Sequence, residues 1–63
     1  MKYCKFVDAR GSAVVFVNPA AVRYLRSDPD DPHTRIIFDD SQSVTVKSDI
    51  EDVARELQEA HKN

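Results

Sequence analysis

A hairpin followed by a helix is the most strongly specified part of the chain. Residues 34–38 and 43–47 are rich in β-branched side chains and flank a polar turn, which predicts two paired strands. After them, Ser48 precedes Glu51 at the spacing of a capping box, which predicts a helix over residues 49–61. Its apolar stripe, at helical spacing, comprises Ile50, Val53, Ala54, Leu57 and Ala60.

Two more strands are predicted near the amino terminus, at residues 2–7 and 13–17. Gly11, the only glycine of the chain, lies between them. We expect it to supply a positive φ in a hairpin turn, a conformation that costs glycine little.

Residues 19–26 permit two interpretations. One is a short helix that includes both alanines. The other is a single helical turn that starts at Pro19, followed by a strand over residues 22–26, and the valine, tyrosine and alternating arginines favour it. The two prolines and three aspartates of residues 27–33 then predict an irregular, solvated loop.

These elements predict an α+β fold: a small, mostly antiparallel sheet of four to five strands with one C-terminal amphipathic helix packed on one face. With 63 residues, the chain is expected to form a single domain, residues 1–63. A domain of this size is usually supported by disulfides, a metal or a partner subunit. Because Cys4 is the only cysteine and there are only two histidines, we expect a homo-oligomer, with a dimer favoured.

The apolar character of the strands predicts where such a contact lies. Residues 13–17 and 34–38 are apolar on both faces, although one helix covers only one face of a sheet. The remaining face, or an edge strand of the sheet, predicts an interface with a second copy or with another, unknown protein. The candidate interface residues are Val15, Val17, Val22, Tyr24, Leu25 and Ile37.

No group of residues predicts catalysis, a cofactor or a metal. Cys4 lies in a predicted strand without a nucleophile motif around it. Asp39 and Asp40 are adjacent, so their side chains diverge. The acidic residues 27–33 lack the glycine and the ligand spacing of a calcium loop. We therefore expect a protein that is not an enzyme.

Nucleic-acid binding is the alternative hypothesis. Basic residues and tyrosines on predicted strands are typical of a β surface that stacks bases. The net charge of −2 and the acidic helix oppose this hypothesis, and basic residues also protect sheet edges. The candidate residues are Arg23, Arg26, Arg35 and Lys47.

The chain is expected to be cytoplasmic, with a reduced thiol. Its longest apolar run, residues 13–17, is too short to span a bilayer. The first residues lack the apolar region of a signal peptide, so we expect no membrane association.

Two family resemblances accompany these patterns. The Asn18-Pro19 pair, set among the predicted strands, together with the hydrophobic pattern around it, resembles the small flagellar motility proteins of the FlbD/SwrD type. That resemblance implies a compact cytoplasmic accessory protein without an enzymatic site. Residues 22–57 bear a fainter resemblance to the strand-rich LytTR-type DNA-binding domain. The first resemblance rests on Val17, Asn18, Pro19, Val22, Thr34, Ile36, Phe38, Val44, Val46, Val53 and Leu57.

Overall fold

Five short strands precede one helix in the computed structural model, which describes residues 3–62. This arrangement confirms the α+β fold. Lys2, at the start of the first predicted strand, lies outside the described residues. In chain order the elements are β1 (Cys4–Val7), β2 (Val14–Val17), a 3-10 helix (Pro19–Ala21), β3 (Tyr24–Asp28), β4 (Asp31–Ile37), β5 (Ser43–Val46) and α1 (Ile50–Lys62).

The strands lie in two antiparallel sheets rather than in one. β1 pairs with β2, and β3, β4 and β5 form a meander in that order. The sheets meet where Asp8 bridges to Val46. On either side of this bridge, Lys47 N donates to Val7 O and Ala9 N donates to Thr45 O, both at 2.9 Å. β1 therefore lies beside β5, and β2 and β3 are the outermost strands.

The core fills the space between the inner faces of both sheets and α1. Successive side chains of a strand point to opposite faces, so every second residue of a strand contributes its side chain to this core. The predicted helical stripe contributes Val53 and Leu57, whereas Ala54 is exposed. The buried cluster consists of Cys4, Phe6, Val17, Ile36, Val46, Val53 and Leu57.

The helix begins one residue later than the predicted capping box requires. Asp49 is the N-cap, because its carboxylate accepts a hydrogen bond from Asp52 N at 2.9 Å. Ser48 has another role: its carbonyl accepts a hydrogen bond from the buried Thr34 hydroxyl at 2.8 Å. The predicted Ser48–Glu51 capping box is therefore wrong, because Asp49 rather than Ser48 caps the helix. The bond from Thr34 connects Ser48 to β4.

The cap assignment can be tested with two single substitutions. Asp49→Ala is expected to lower the free energy of unfolding by about 1 kcal/mol, the usual cost of losing an N-cap side chain. Ser48→Ala is expected to cost much less, because the carbonyl that Thr34 contacts is retained. Urea unfolding followed by circular dichroism measures both. A larger loss for Ser48→Ala than for Asp49→Ala would contradict the assignment.

The turn between β1 and β2 is formed by an aspartate rather than by the glycine. Asp8 Oδ1 accepts a hydrogen bond from Arg10 N at 2.8 Å, and Asp8 N donates to Ala13 O at 2.8 Å. Gly11 has no positive φ, so the prediction of a glycine-dependent turn is wrong. A side chain that bonds the backbone two residues ahead turns the chain without a left-handed residue.

The prediction of an irregular loop over residues 27–33 is also wrong. These residues form a tight hairpin in which Asp28 pairs with Asp31, with an irregularity between Ser27 and Asp28. Asp31 Oδ1 accepts a hydrogen bond from His33 N at 2.9 Å, which orders the start of β4. Pro32 lies outside the stretch of β4 that pairs with β5, a position where a strand tolerates proline.

Two other turns follow the predictions. Asn18 Oδ1 accepts a hydrogen bond from Ala20 N at 3.0 Å, and the helical turn from Pro19 ends before β3. In the β4–β5 turn, Asp39 Oδ1 accepts from Ser41 N and from Gln42 N, each at 2.8 Å. These bonds, Ser41 N foremost, hold the pKa of the Asp39 carboxyl below its usual value.

Candidate interaction surface

Most of the predicted interface residues are turned toward the core. Val17 is 3% exposed, and Ile37 is buried on the opposite face of its sheet from the helix-facing cluster. Tyr24 remains 56% exposed on β3. The residues that are partly buried against the core are Val15, Val22 and Leu25. The available apolar surface therefore differs from the predicted set.

Exposed apolar side chains lie on the outer face of the β1–β2 hairpin. Val7 and Val14 are cross-strand partners there, and Phe16 is opposite Lys5. Phe16 is 67% exposed and Val14 46% exposed, which is unusual for side chains of this size and polarity. We call Val7, Val14 and Phe16 the hairpin face.

β2 is also an open edge. Backbone bonding alternates along an antiparallel pair, and the bond from Asp8 N to Ala13 O places Val15 and Val17 in the hydrogen-bonded positions opposite β1. The N–H and C=O groups of Val14 and Phe16 therefore point away from β1. Within residues 3–62, no other strand pairs with β2 along this side.

The two outermost strands differ in their protection against pairing. Charged side chains on an edge strand discourage association with another strand. β3 carries Arg26 and Asp28, whereas all the side chains of β2 are apolar. β2 is thus the edge that lacks the usual protection.

The alternation of side chains in β1 indicates which side of the hairpin is the inner one. In β1, Cys4 and Phe6 alternate with the polar Lys5, so their side is the inner one. An Asp8-centred turn fixes the register that pairs Phe6 with Val15 and Cys4 with Val17. This register assigns Val14 and Phe16 to the outer face, but it was not predictable from the apolar pattern of β2 alone.

The basic residues of the nucleic-acid hypothesis are only partly brought together. Arg26 and Arg35 are direct cross-strand partners, and Lys47 is exposed just after β5. Arg23 Nη1 lies 3.6 Å from Asp40 Oδ1, so part of its charge is compensated at the other end of the sheet.

Cys4 is placed as a core residue. Its thiol is buried and donates to the Glu56 carbonyl at 3.5 Å. Burial raises the pKa of the Cys4 thiol, and the nearby Glu56 carboxylate raises it further. Such a thiol carries little thiolate at neutral pH, which is the opposite of what a nucleophilic cysteine needs.

Within residues 3–62, no three histidine, cysteine, aspartate or glutamate side chains are grouped to hold a metal ion. Over the same residues, α1 included, no helix has the length and apolar character needed to cross a membrane.

Comparisons with protein-family models, curated proteins and solved structures gave no match for this chain.

Proposed function

We propose that this protein is a non-enzymatic interaction module that acts as a homodimer, in which β2 pairs antiparallel with β2 of a second copy. The observation that supports this most directly is the open, uncharged edge of β2 beside the exposed hairpin face. Strand addition of this kind satisfies backbone groups and buries apolar side chains at the same time.

The direction of the backbone groups selects one register. A closed dimer requires a two-fold axis, so each contact occurs twice. With Val15 opposite Val15 of the partner subunit, the outward groups of both Val14 and Phe16 form hydrogen bonds. If Val14 or Phe16 instead lies opposite its own copy, only the outward backbone groups of that one residue form hydrogen bonds between the two β2 strands. The Val15-centred register is therefore the most stable.

The same register joins the hairpin faces of the two copies. Phe16 lies beside Val14 of the partner subunit, and aromatic and β-branched side chains favour each other as cross-strand neighbours. Each copy thereby covers part of the large exposed side chain of the other. This reduces the apolar surface that a monomer leaves in water.

The cellular setting belongs to the same proposal. We place the dimer in the cytoplasm as an accessory protein, which is what the resemblance to the FlbD/SwrD type implies. The dimer forms the platform on which a further protein binds. Nucleic-acid binding ranks second, because Arg23 is compensated by Asp40 and the net charge is −2.

Cysteine cross-linking tests the register directly. In the proposed dimer, the Cα atoms of the two Val15 residues are about 4.5 Å apart, as in other non-hydrogen-bonded pairs. This distance lies within the range that a disulfide spans. Val15→Cys is therefore expected to form a covalent dimer under mild oxidation. The native Cys4 is retained, because its buried thiol does not compete.

Ala13→Cys, at the residue just before β2, is the matched control. In the same register the two Ala13 residues are separated by about 13 Å, at about 3.3 Å per residue, and cannot be bridged. Non-reducing electrophoresis with peptide mapping reads out both variants. Equal cross-linking of the two variants, or none in Val15→Cys, would contradict the proposed pairing.

A further inference from the structure

Two arginines lie directly opposite each other on the outer face of the β3–β4–β5 sheet. Arg26 and Arg35 are cross-strand partners, and we call them the arginine pair. Like charges in this position repel each other and destabilise a sheet. Arg26 Nε is 4.0 Å from Asp28 Oδ1, while Arg35 forms no ion pair within residues 3–62. The pair therefore has positive charge that the described chain does not neutralise.

A cleft lies beside the arginine pair. It has a volume of about 570 Å³ and lies between the turn after β1 and the outer face of β4 and β5. Arg10, His33, Arg35 and Thr45 all line it. A smaller cavity next to it is lined by both members of the arginine pair and by Asp28, and its walls share Asp31, His33, Arg35 and Thr45 with the cleft. Three arginines and one threonine hydroxyl group thus line these two neighbouring cavities.

We propose that this cleft binds a phosphate monoester. Guanidinium groups present paired N–H donors that match two phosphate oxygens, and a monoester carries close to two negative charges at neutral pH. Arg35 and Arg10 bind the phosphoryl oxygens, and the Thr45 hydroxyl donates to a third. Arg26 adds charge from the far side of Arg35. A bound dianion also relieves the repulsion within the arginine pair.

Acidic residues around the site determine the size of the ligand. Asp28 and Asp31 lie at one end of the β3–β4 ladder, and Asp39 and Asp40 lie at the other, in the turn after β4. A nucleic-acid strand that crosses the sheet would bring further phosphates against these carboxylates. Of these four carboxylates, a single phosphoryl group in the cleft meets only that of Asp31, and Asp28 lines only the smaller cavity. The site therefore suits a small monoester better than a polyanion.

Asp31 lines the cleft but does not neutralise the arginines. Its Oδ1 accepts a hydrogen bond from His33 N at 2.9 Å and lies 3.1 Å from His33 Nδ1. These contacts hold the carboxylate against His33. The positive groups nearest to Thr45 remain available for a ligand.

Nuclear magnetic resonance of the arginine side chains tests this proposal, which is independent of the dimer. The Nε–H signals of the intact protein are followed during titration with inorganic phosphate, adenosine 5′-monophosphate and a short single-stranded oligonucleotide, at constant ionic strength. We expect saturable shifts of Arg10 and Arg35 with the first two ligands. Tighter binding of the nucleotide supports an organic monoester as the ligand, and tighter binding of inorganic phosphate would overturn the monoester in favour of the free ion.

Two variants provide the comparison. Arg35→Gln is expected to weaken phosphate binding by about tenfold or more, the loss expected for a charge-assisted contact. Its melting temperature without phosphate is expected to equal or exceed that of the wild type, because the repulsion is gone. Arg23→Gln, at the ion pair with Asp40, should bind as the wild type does. Unchanged binding in Arg35→Gln, no saturable shift, or far tighter binding of the oligonucleotide would overturn the proposal.

Discussion

Replacing Phe16 with aspartate is expected to convert the dimer into a folded monomer. The side chain is 67% exposed in one copy, so its loss costs little in the fold of that copy. In the dimer it lies beside Val14 of the partner subunit, and a carboxylate there would lose this apolar cross-strand contact and would have to give up water beside a valine. Light scattering coupled to size-exclusion chromatography measures the mass, and circular dichroism confirms that the fold is retained.

Tyr24→Asp is the matched control for this substitution. Tyr24 is also a largely exposed aromatic residue on an outermost strand, but it lies on β3, which carries its own charged side chains. This variant is expected to remain dimeric. If both variants become monomeric, general surface polarity rather than the β2 edge controls association. A dimeric Phe16→Asp protein would exclude the proposed contact.

Ile36→Ala is expected to have the largest effect on stability. Ile36 is 0% exposed, lies on the central strand of its sheet and packs between Leu25 and Val44. Truncation of a buried isoleucine to alanine usually costs about 2–5 kcal/mol, through lost burial and the cavity that remains. In a domain this small, that loss approaches the whole free energy of unfolding. Urea unfolding at a fixed protein concentration measures it.

The neighbouring isoleucine supplies the control. Ile37 is buried too, but it lies on the other face of β4 and is not part of the helix-facing cluster. Ile37→Ala is expected to cost clearly less than Ile36→Ala, because its surroundings are closer to solvent and relax into the space. Equal losses would contradict the placement of Ile36 in the helix-facing core and of Ile37 on the other face of β4.

Local patterns predicted the elements well where side-chain spacing alone decides them. The helical stripe through Val53 and Leu57 is buried as expected, and Asn18 and Pro19 form the short helical turn. Local patterns did not show which of two neighbouring residues, each suited to cap the helix, is the N-cap. Ser48 and Asp49 are both good N-caps, and the bond from Thr34 to Ser48, which is distant in sequence, determines which one caps the helix.

The candidate surface depended on long-range pairing, which the sequence did not show. An apolar strand such as β2 is compatible with either face inward, and only its register with β1 decides. Which strands are outermost depends on the contact between Asp8 and Val46, far apart in the chain. The arginine pair arises in the same way, because residues 27–33 form a hairpin where a loop was predicted.

Sedimentation equilibrium of the wild-type protein tests the β2–β2 dimer. Over a range of concentrations, we expect a reversible monomer–dimer equilibrium whose upper limit is twice the mass of one chain. Amide exchange recorded in parallel is expected to show protection of Val14 and Phe16 that rises with the dimer fraction. A single-chain mass at every concentration, with fast exchange at these two amides, would rule out this dimer.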